Sequence, residues 1–225
     1  SDTDHAKSPL WTERSLRRSI ETMRAPFGPT RDTARRLGGT LNTAFLTIAA
    51  EAASRYHEQL GAPVEALRAS MAISTRTEGS GANAFSLARM LIPTAPMPIA
   101  DRFAAVQAQA EAARGGSSAA SLDTLAAVGA ALPTSLITRL ARSQSQTVDF
   151  ATSNVKGSPI PVYLAGARIM ENYPVGPLGG VAFNLTLLSY AGSLDMGVTV
   201  DTAAVAEPER LRRCIEASVK AFIAS

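Results

Sequence analysis

Phe183-Asn184-Leu185-Thr186-Leu187-Leu188-Ser189-Tyr190-Ala191-Gly192-Ser193-Leu194-Asp195-Met196-Gly197-Val198-Thr199-Val200-Asp201 decides the fold. Phe183, Leu185 and Leu187 alternate with Asn184, Thr186 and Leu188. Leu194, Met196, Val198 and Val200 alternate with Asp195, Gly197, Thr199 and Asp201. A period of two puts one set on a buried face, and Ala191-Gly192-Ser193 between the runs predicts a hairpin. Pro208 then opens an amphipathic helix with Leu211, Ile215, Val219 and Phe222 on its stripe.

Working towards the N-terminus, strands are expected at 147–154 and 161–170, separated by Lys156-Gly157-Ser158-Pro159. Helices are expected at 121–131 and 134–143, and from Ile99 to Arg114 after the Pro93–Pro98 connection. Residues 67–74 and 84–92 read as strands around a Glu78-Gly79-Ser80-Gly81 turn. Thr40 opens a long helix whose stripe is Leu41, Phe45, Ile48, Ala52 and Tyr56, closed by Gly61 and Pro63. A shorter one from Arg31 stops at Gly38-Gly39. Residues 1–12 read as a tail or linker, leaving 13–225 as one domain. The fold class is α+β: a mixed sheet flanked by helices, without strict βαβ alternation.

Composition narrows the chemistry. The 225 residues are 46% hydrophobic and 18% charged, which is ordinary for a folded globular chain. The lone Cys214, beside Ile215 on the buried side of its helix, reads as an inert thiol. With only His5, His57 and Cys214, a zinc site is excluded, and no metal ligand is assigned. His57 lies about 120° from the centre of its helix's stripe and reads as a solvated surface histidine. His5 falls in the tail. Gly79-Ser80-Gly81 is not followed by the helix a phosphate loop needs, and no Gly-x-Ser-x-Gly elbow occurs. No evident catalytic base emerges.

Arg14, Arg17, Arg18, Arg24, Arg31, Arg35 and Arg36 crowd residues 13–36, although the net charge is only +3. Phe27 is the lone aromatic among them, so nucleic acid is not expected as a partner. An exposed basic strip suits anionic lipid or a phosphorylated cofactor. No apolar run reaches the roughly 20 residues of a membrane span, and Ser1-Asp2-Thr3-Asp4 is unlike a secretory signal. Cytoplasmic residence is the expectation.

Further segments stand in a telling order: Ser8-Pro9-Leu10-Trp11-Thr12, Gly38-Gly39-Thr40-Leu41-Asn42-Thr43-Ala44-Phe45-Leu46, and Ser153-Asn154-Val155-Lys156-Gly157. Tyr163-Leu164-Ala165-Gly166-Ala167, Tyr173-Pro174-Val175-Gly176-Pro177-Leu178 and Asn184-Leu185-Thr186-Leu187-Leu188-Ser189-Tyr190 follow. Together they resemble the C-terminal half of the bacterial wax ester synthase/diacylglycerol acyltransferase family, from about Ser8 to Phe222. The resemblance implies one half of a chloramphenicol acetyltransferase-like, condensation-domain-like enzyme with a tunnel between two halves. It implies acyl transfer from acyl-CoA to diacylglycerol or a long-chain alcohol, with no cofactor beyond acyl-CoA as co-substrate. A histidine would take the acceptor's proton as its oxygen attacks the thioester.

That histidine belongs to a His-His-x-x-x-Asp-Gly motif, which this sequence does not contain. The resemblance therefore makes the N-terminal catalytic half a partner, with acyl-CoA and lipid alcohol, and allows peripheral contact with a membrane or lipid droplet. No residue here is assigned a catalytic role. Asn42, Thr43, Ser153, Asn154, Asn184 and Thr186 are the candidate substrate-binding residues. Two departures stand out. Thr43 replaces the family's aspartate after Asn42, and Lys156 and Ser158 replace two prolines. They favour an alternative, a non-catalytic acyltransferase-like domain that binds lipid or a protein. The Asn184–Thr186 face is expected to line the tunnel or to meet the other half.

Overall fold

A computed structural model describes residues 5–74, 85–115 and 147–225. The expected turn at 78–81 and helices at 121–131 and 134–143 lie outside the described residues. The strands are β1 (Arg18–Pro26), β2 (Ala66–Ser74), β3 (Phe85–Pro93), β4 (Phe150–Lys156), β5 (Tyr163–Leu164), β6 (Ala167–Arg168), β7 (Phe183–Tyr190) and β8 (Ser193–Asp201). The helices are α1 (Phe27–Arg36), α2 (Leu41–Gln59), α3 (Ile99–Gly115) and α4 (Pro208–Ala224).

Six strands form one mixed sheet in the order β1-β8-β7-β4-β2-β3. The neighbours β7/β4 and β4/β2 are parallel, and the other pairs antiparallel. Registers such as Met23↔Met196, Phe183↔Val200, Phe150↔Phe183 and Ala69↔Met90 place a continuous apolar layer on one face. These residues join α2, α3 and α4 in a single core. The fold is α+β, as expected.

The β7–β8 hairpin forms around Ala191 and Gly192, both at positive φ, as the alternation predicted. It differs from expectation in one respect. Asn184, Thr186, Asp195, Thr199 and Asp201, on the polar face, are buried as well. The segment around Pro174–Pro177 covers Asn184 and Thr186, while Asn172 and Arg24 meet Asp195 and Ser15 meets Asp201. At Gly176 a Cβ would overlap Thr186 Oγ1, and at Gly197 one would overlap Pro174 O. Tyr173-Pro174-Val175-Gly176-Pro177 is thus a cover strip on the sheet, seated where two glycines let backbone approach closely.

Two further expectations are corrected, and one strand appears that the sequence reading did not assign. Residues 161–170 form no long strand. They make the short β5/β6 hairpin, turning at Ala165 and Gly166 with φ of 49° and 82°. Within the basic stretch 13–36, Arg18–Pro26 is an edge strand, β1, whose alternation hides in sequence because only Met23 and Ala25 are buried. The stretch read as a tail is not one over residues 7–11. Ser8 and Trp11 are buried, and the Trp11 indole packs edge-on against Phe183 at 5.4 Å.

The helix α2 sits at the centre of the helical layer, buried along most of its length from Thr43 to His57. Alanines at 44, 49, 50, 52 and 53 let α4, α3 and the sheet approach on different sides. Thr40 caps it, its Oγ1 accepting from Thr43 N at 3.2 Å. Arg102 of α3 is 1% exposed and donates to Glu51 Oε2 of α2 at 2.8 Å. It also donates to Pro93 O at 2.6 Å and Ala95 O at 3.0 Å, tying the proline connection to both helices. Removing one member of a buried pair leaves the other charge uncompensated. Arg102→Met is therefore expected to lower unfolding free energy by about 3–5 kcal/mol in urea titration. Arg55→Ala, which removes the outer partner of Glu51, should cost under about 1 kcal/mol. Equal losses would refute this assignment.

Candidate functional site

The parallel strands β4 and β7 end side by side at Lys156 and Ser189, and Gly157 N donates to Ser189 Oγ at 3.2 Å. The carboxyl ends of parallel strands are where open α/β sheets place ligand crevices. The N-terminus of α2 meets this edge. Asn154 Nδ2 of β4 donates to Asn42 Oδ1 of α2, and both residues are half-buried. A close glycine contact brings α2 here. Gly38 ends α1 at φ +81, and a Cβ on Gly39 would overlap Gln107 and Phe103 of α3.

The six candidate residues separate into three settings. Asn42 and Asn154 come together across 112 positions of sequence. Thr43 is buried, its hydroxyl 3.1 Å from Thr40 Oγ1, inside the helix cap. Ser153 lies on the opposite sheet face, half-buried and in register with Thr186. Asn184 Nδ2 donates to Pro177 O at 2.6 Å, and Thr186 Oγ1 donates to Asn184 Oδ1 at 3.3 Å. Those two side chains hold the cover strip. The face expected to be open to a tunnel or a partner is closed there by the chain's own backbone.

His57 differs most from its expectation as a surface residue: it is 0% exposed. A helix buried nearly all round has no solvated side at 120° from its stripe. Its Nδ1 donates to Ala53 O at 2.7 Å, which leaves Nε2 to accept from Ser8 Oγ, also at 2.7 Å. The Trp11 ring stands edge-on at 4.4 Å. Ser8 Oγ accepts in turn from Trp11 N at 3.0 Å, so the pair pins an N-terminal strap. The strap's other anchors are Asp149, which accepts from Lys7 N, Ser8 N and Arg68 N, and Asp201, which accepts from Ser15 N and Oγ. Sequence reasoning missed this network, because Asp149 precedes its strand and the strap carries no periodicity. Burial drives the His57 pKa below its ordinary 6.5, opposed in part by the Ala53 carbonyl and by Asp149. Burial works to raise the Asp201 pKa, yet the hydrogen bonds from Ser15 and Ala203 outweigh it and hold it below 3.8. Among the described residues no cluster of His, Cys, Asp and Glu could hold a metal ion. None of the described helices is long and apolar enough to cross a membrane.

The family model "WS/DGAT C-terminal domain" matches residues 81–222. The chain belongs to this family. The WS/DGAT domain is 31% identical over 219 residues to "Putative diacyglycerol O-acyltransferase Rv2484c" of Mycobacterium tuberculosis, covering 96% of this chain and 44% of that protein. Against "Putative diacyglycerol O-acyltransferase Rv3087" of the same organism it is 29% identical over 224 residues, 94% of this chain and 47% of the relative. The chain thus spans less than half the length of these curated relatives. The fold matches the wax ester synthase/diacylglycerol acyltransferase from Marinobacter aquaeolei VT8 with a TM-score of 0.72 at 22% identity. That match covers 98% of this chain and 52% of that one. A polyketide synthase condensation domain matches at 0.63 and 14% identity, over 97% of this chain and 44% of that one.

The buried histidine sets a pH dependence. The unfolded chain protonates its histidine near 6.5, while the folded one resists to lower pH. Its contribution to stability is therefore complete above pH 6.5 and is lost as pH falls below it, by up to about 1.4 kcal/mol per pH unit. Urea midpoints from pH 7.5 to 5 should fall for the wild type and fall less for His57→Gln. Parallel profiles would contradict the buried, neutral state.

Proposed function

We propose that this chain forms one wall of an acyl-CoA-dependent O-acyltransferase that esterifies diacylglycerol or a long-chain alcohol. The observation that carries the reading is the WS/DGAT C-terminal family match, over a chain less than half as long as its relatives. The general base comes from the other half. His57 is unsuited to that role because both ring nitrogens are engaged inside the core. Asn42 and Asn154, at the α2 N-terminus beside the ends of β4 and β7, are the residues we assign to the tunnel wall. Amide groups there offer polar contacts to an acyl-CoA or acceptor without adding charge. Ser153 is the remaining candidate with an accessible side chain, whereas Thr43, Asn184 and Thr186 support the wall from behind. The enzyme works in the cytoplasm, touching a membrane or lipid-droplet surface where its acceptor partitions.

A second reading is a non-catalytic domain that binds lipid or a protein. The cap at Thr43 favours it, since a hydroxyl bonded to Thr40 supplies no charge at the helix start. Palmitoyl-CoA with hexadecanol or dioleoylglycerol separates the two. The chain alone should form no ester, and joining it to a half that carries His-His-x-x-x-Asp-Gly should restore ester formation. Ester formed by the chain alone would overturn the proposed division of labour. A folded assembly that forms none would favour the second reading.

A further inference from the structure

A groove runs between the edge strand β1 and α4, on the face of the sheet that carries the helices. Its cavity is about 560 Å³, within the roughly 300–1,000 Å³ of small-molecule sites, and none of the residues assigned to the tunnel wall lines it. The floor is apolar. Met23 and Met196 are register partners in β1 and β8, and both side chains are buried. The wall is a line along α4, with Glu216, Val219, Lys220 and Ile223 at i, i+3, i+4 and i+7. Leu211, Ile215 and Phe222 make the neighbouring stripe that α4 buries in the core. Unbranched methionines adapt their shape to a flexible partner, which suits them to line a site for an extended apolar chain.

Charge is divided along the groove. At one end Glu216 accepts from Arg212 at 2.6 Å, and Arg212 also meets Glu21 at 3.6 Å, so the acidic groups there are tied to a guanidinium. Arg24 is held by Asp195 at 2.9 Å. At the other end Lys220 is exposed and meets no acidic group among the described residues. Arg36 stands near that end. Its Nη2 donates to Thr33 Oγ1, which donates to Ile223 O, each at 3.4 Å, and it too has no acidic partner among the described residues. The free charge at this rim is positive.

We infer that this groove binds a free long-chain fatty acid, its chain on Met23, Met196, Val219 and Ile223 and its carboxylate at Lys220. One chain and one negative charge match a cavity of this size with one ammonium on its rim. An extended peptide fits less well. Pro26 has no N–H, and Arg18, Glu21 and Arg24 blunt the β1 edge against strand addition. The inference does not depend on the acyltransfer reading, because the groove and the tunnel wall are built from different residues.

Equilibrium dialysis of radiolabelled palmitate against the 225-residue chain tests this, with hexadecanol as the uncharged probe of equal chain length. Palmitate should bind saturably to a single class of site. Lys220→Gln should weaken palmitate about fivefold and leave hexadecanol within about twofold. Ile223→Trp, which fills the groove, should weaken both by about tenfold or more. Unchanged palmitate affinity in Lys220→Gln, or an equal loss for hexadecanol, would overturn the inference. That comparison stands even if Ile223→Trp fails to fold, because the Lys220 side chain is exposed. The absence of saturable palmitate binding would overturn it as well. Phosphatidylglycerol vesicles bound through Lys220 without palmitate binding would make the groove a membrane contact, and an acidic peptide bound on β1 in its place would make it a peptide site. Either result overturns the proposal. Palmitate binding is read without ester formation, so this proposal and the acyltransfer reading fail independently.

Discussion

The Asp149 carboxylate, 0% exposed, holds the rest of the structure in register. It accepts backbone N–H bonds from Lys7 and Ser8 of the N-terminal strap and from Arg68 of β2. The Asp149 backbone donates to Arg68 O at 2.8 Å and accepts from Ala182 N at 2.9 Å, just ahead of β7. One residue therefore aligns β2, β4 and β7 and fixes the strap that delivers Trp11 and Ser8 to α2. Taking a carboxylate out of water is costly unless its lone pairs are filled, and here three residues' N–H groups fill them. Losing the carboxylate would leave those donors unsatisfied, at about 1–3 kcal/mol each. The parallel strand ends that bear Asn154 depend on this alignment.

Elements with strong periodicity were legible in the sequence. The β7–β8 hairpin, α2 with its Thr40 cap, α3 and α4 form where alternation, stripes and caps place them, because local preference and tertiary packing agree there. The elements that escaped are those whose burial comes from distant chain. The edge strand β1 carries Arg18, Glu21 and Arg24 among its nine residues and buries only Met23 and Ala25, because it pairs on one side only. His57 looked solvated because the pattern of one helix cannot report that Ser8 and Trp11 of the strap cover it. Residues 161–170 looked like a strand because β-branched and aromatic residues are common to long strands and to short exposed hairpins alike.

The recurrent segments of the sequence have different physical jobs. Ser8-Pro9-Leu10-Trp11 is the strap, Gly38-Gly39 the close contact between α1's end and α3, and Tyr173–Leu178 the cover over β7 and β8. Tyr163–Ala167 turns the β5/β6 hairpin. Among these segments Asn42 and Asn154 place amide groups near the carboxyl ends of β4 and β7. The candidate site was thus partly legible: the residue types stood out, while the separation of Asn42 and Asn154 from Asn184 and Thr186 required the sheet's two faces. The paucity of histidine takes on a definite meaning in this setting. One of the two is a core residue that anchors a strap, which is consistent with acid–base chemistry supplied from outside the chain.

That division of roles is tested most directly by His57→Gln in an assembled, ester-forming enzyme, assayed at a temperature where circular dichroism finds it folded. The expected result is a kcat/KM within about threefold of wild type alongside a lowered Tm, since the residue holds structure and not the reacting proton. A loss of activity of about a thousandfold or more in a folded enzyme would place the base in this chain and overturn that division of roles.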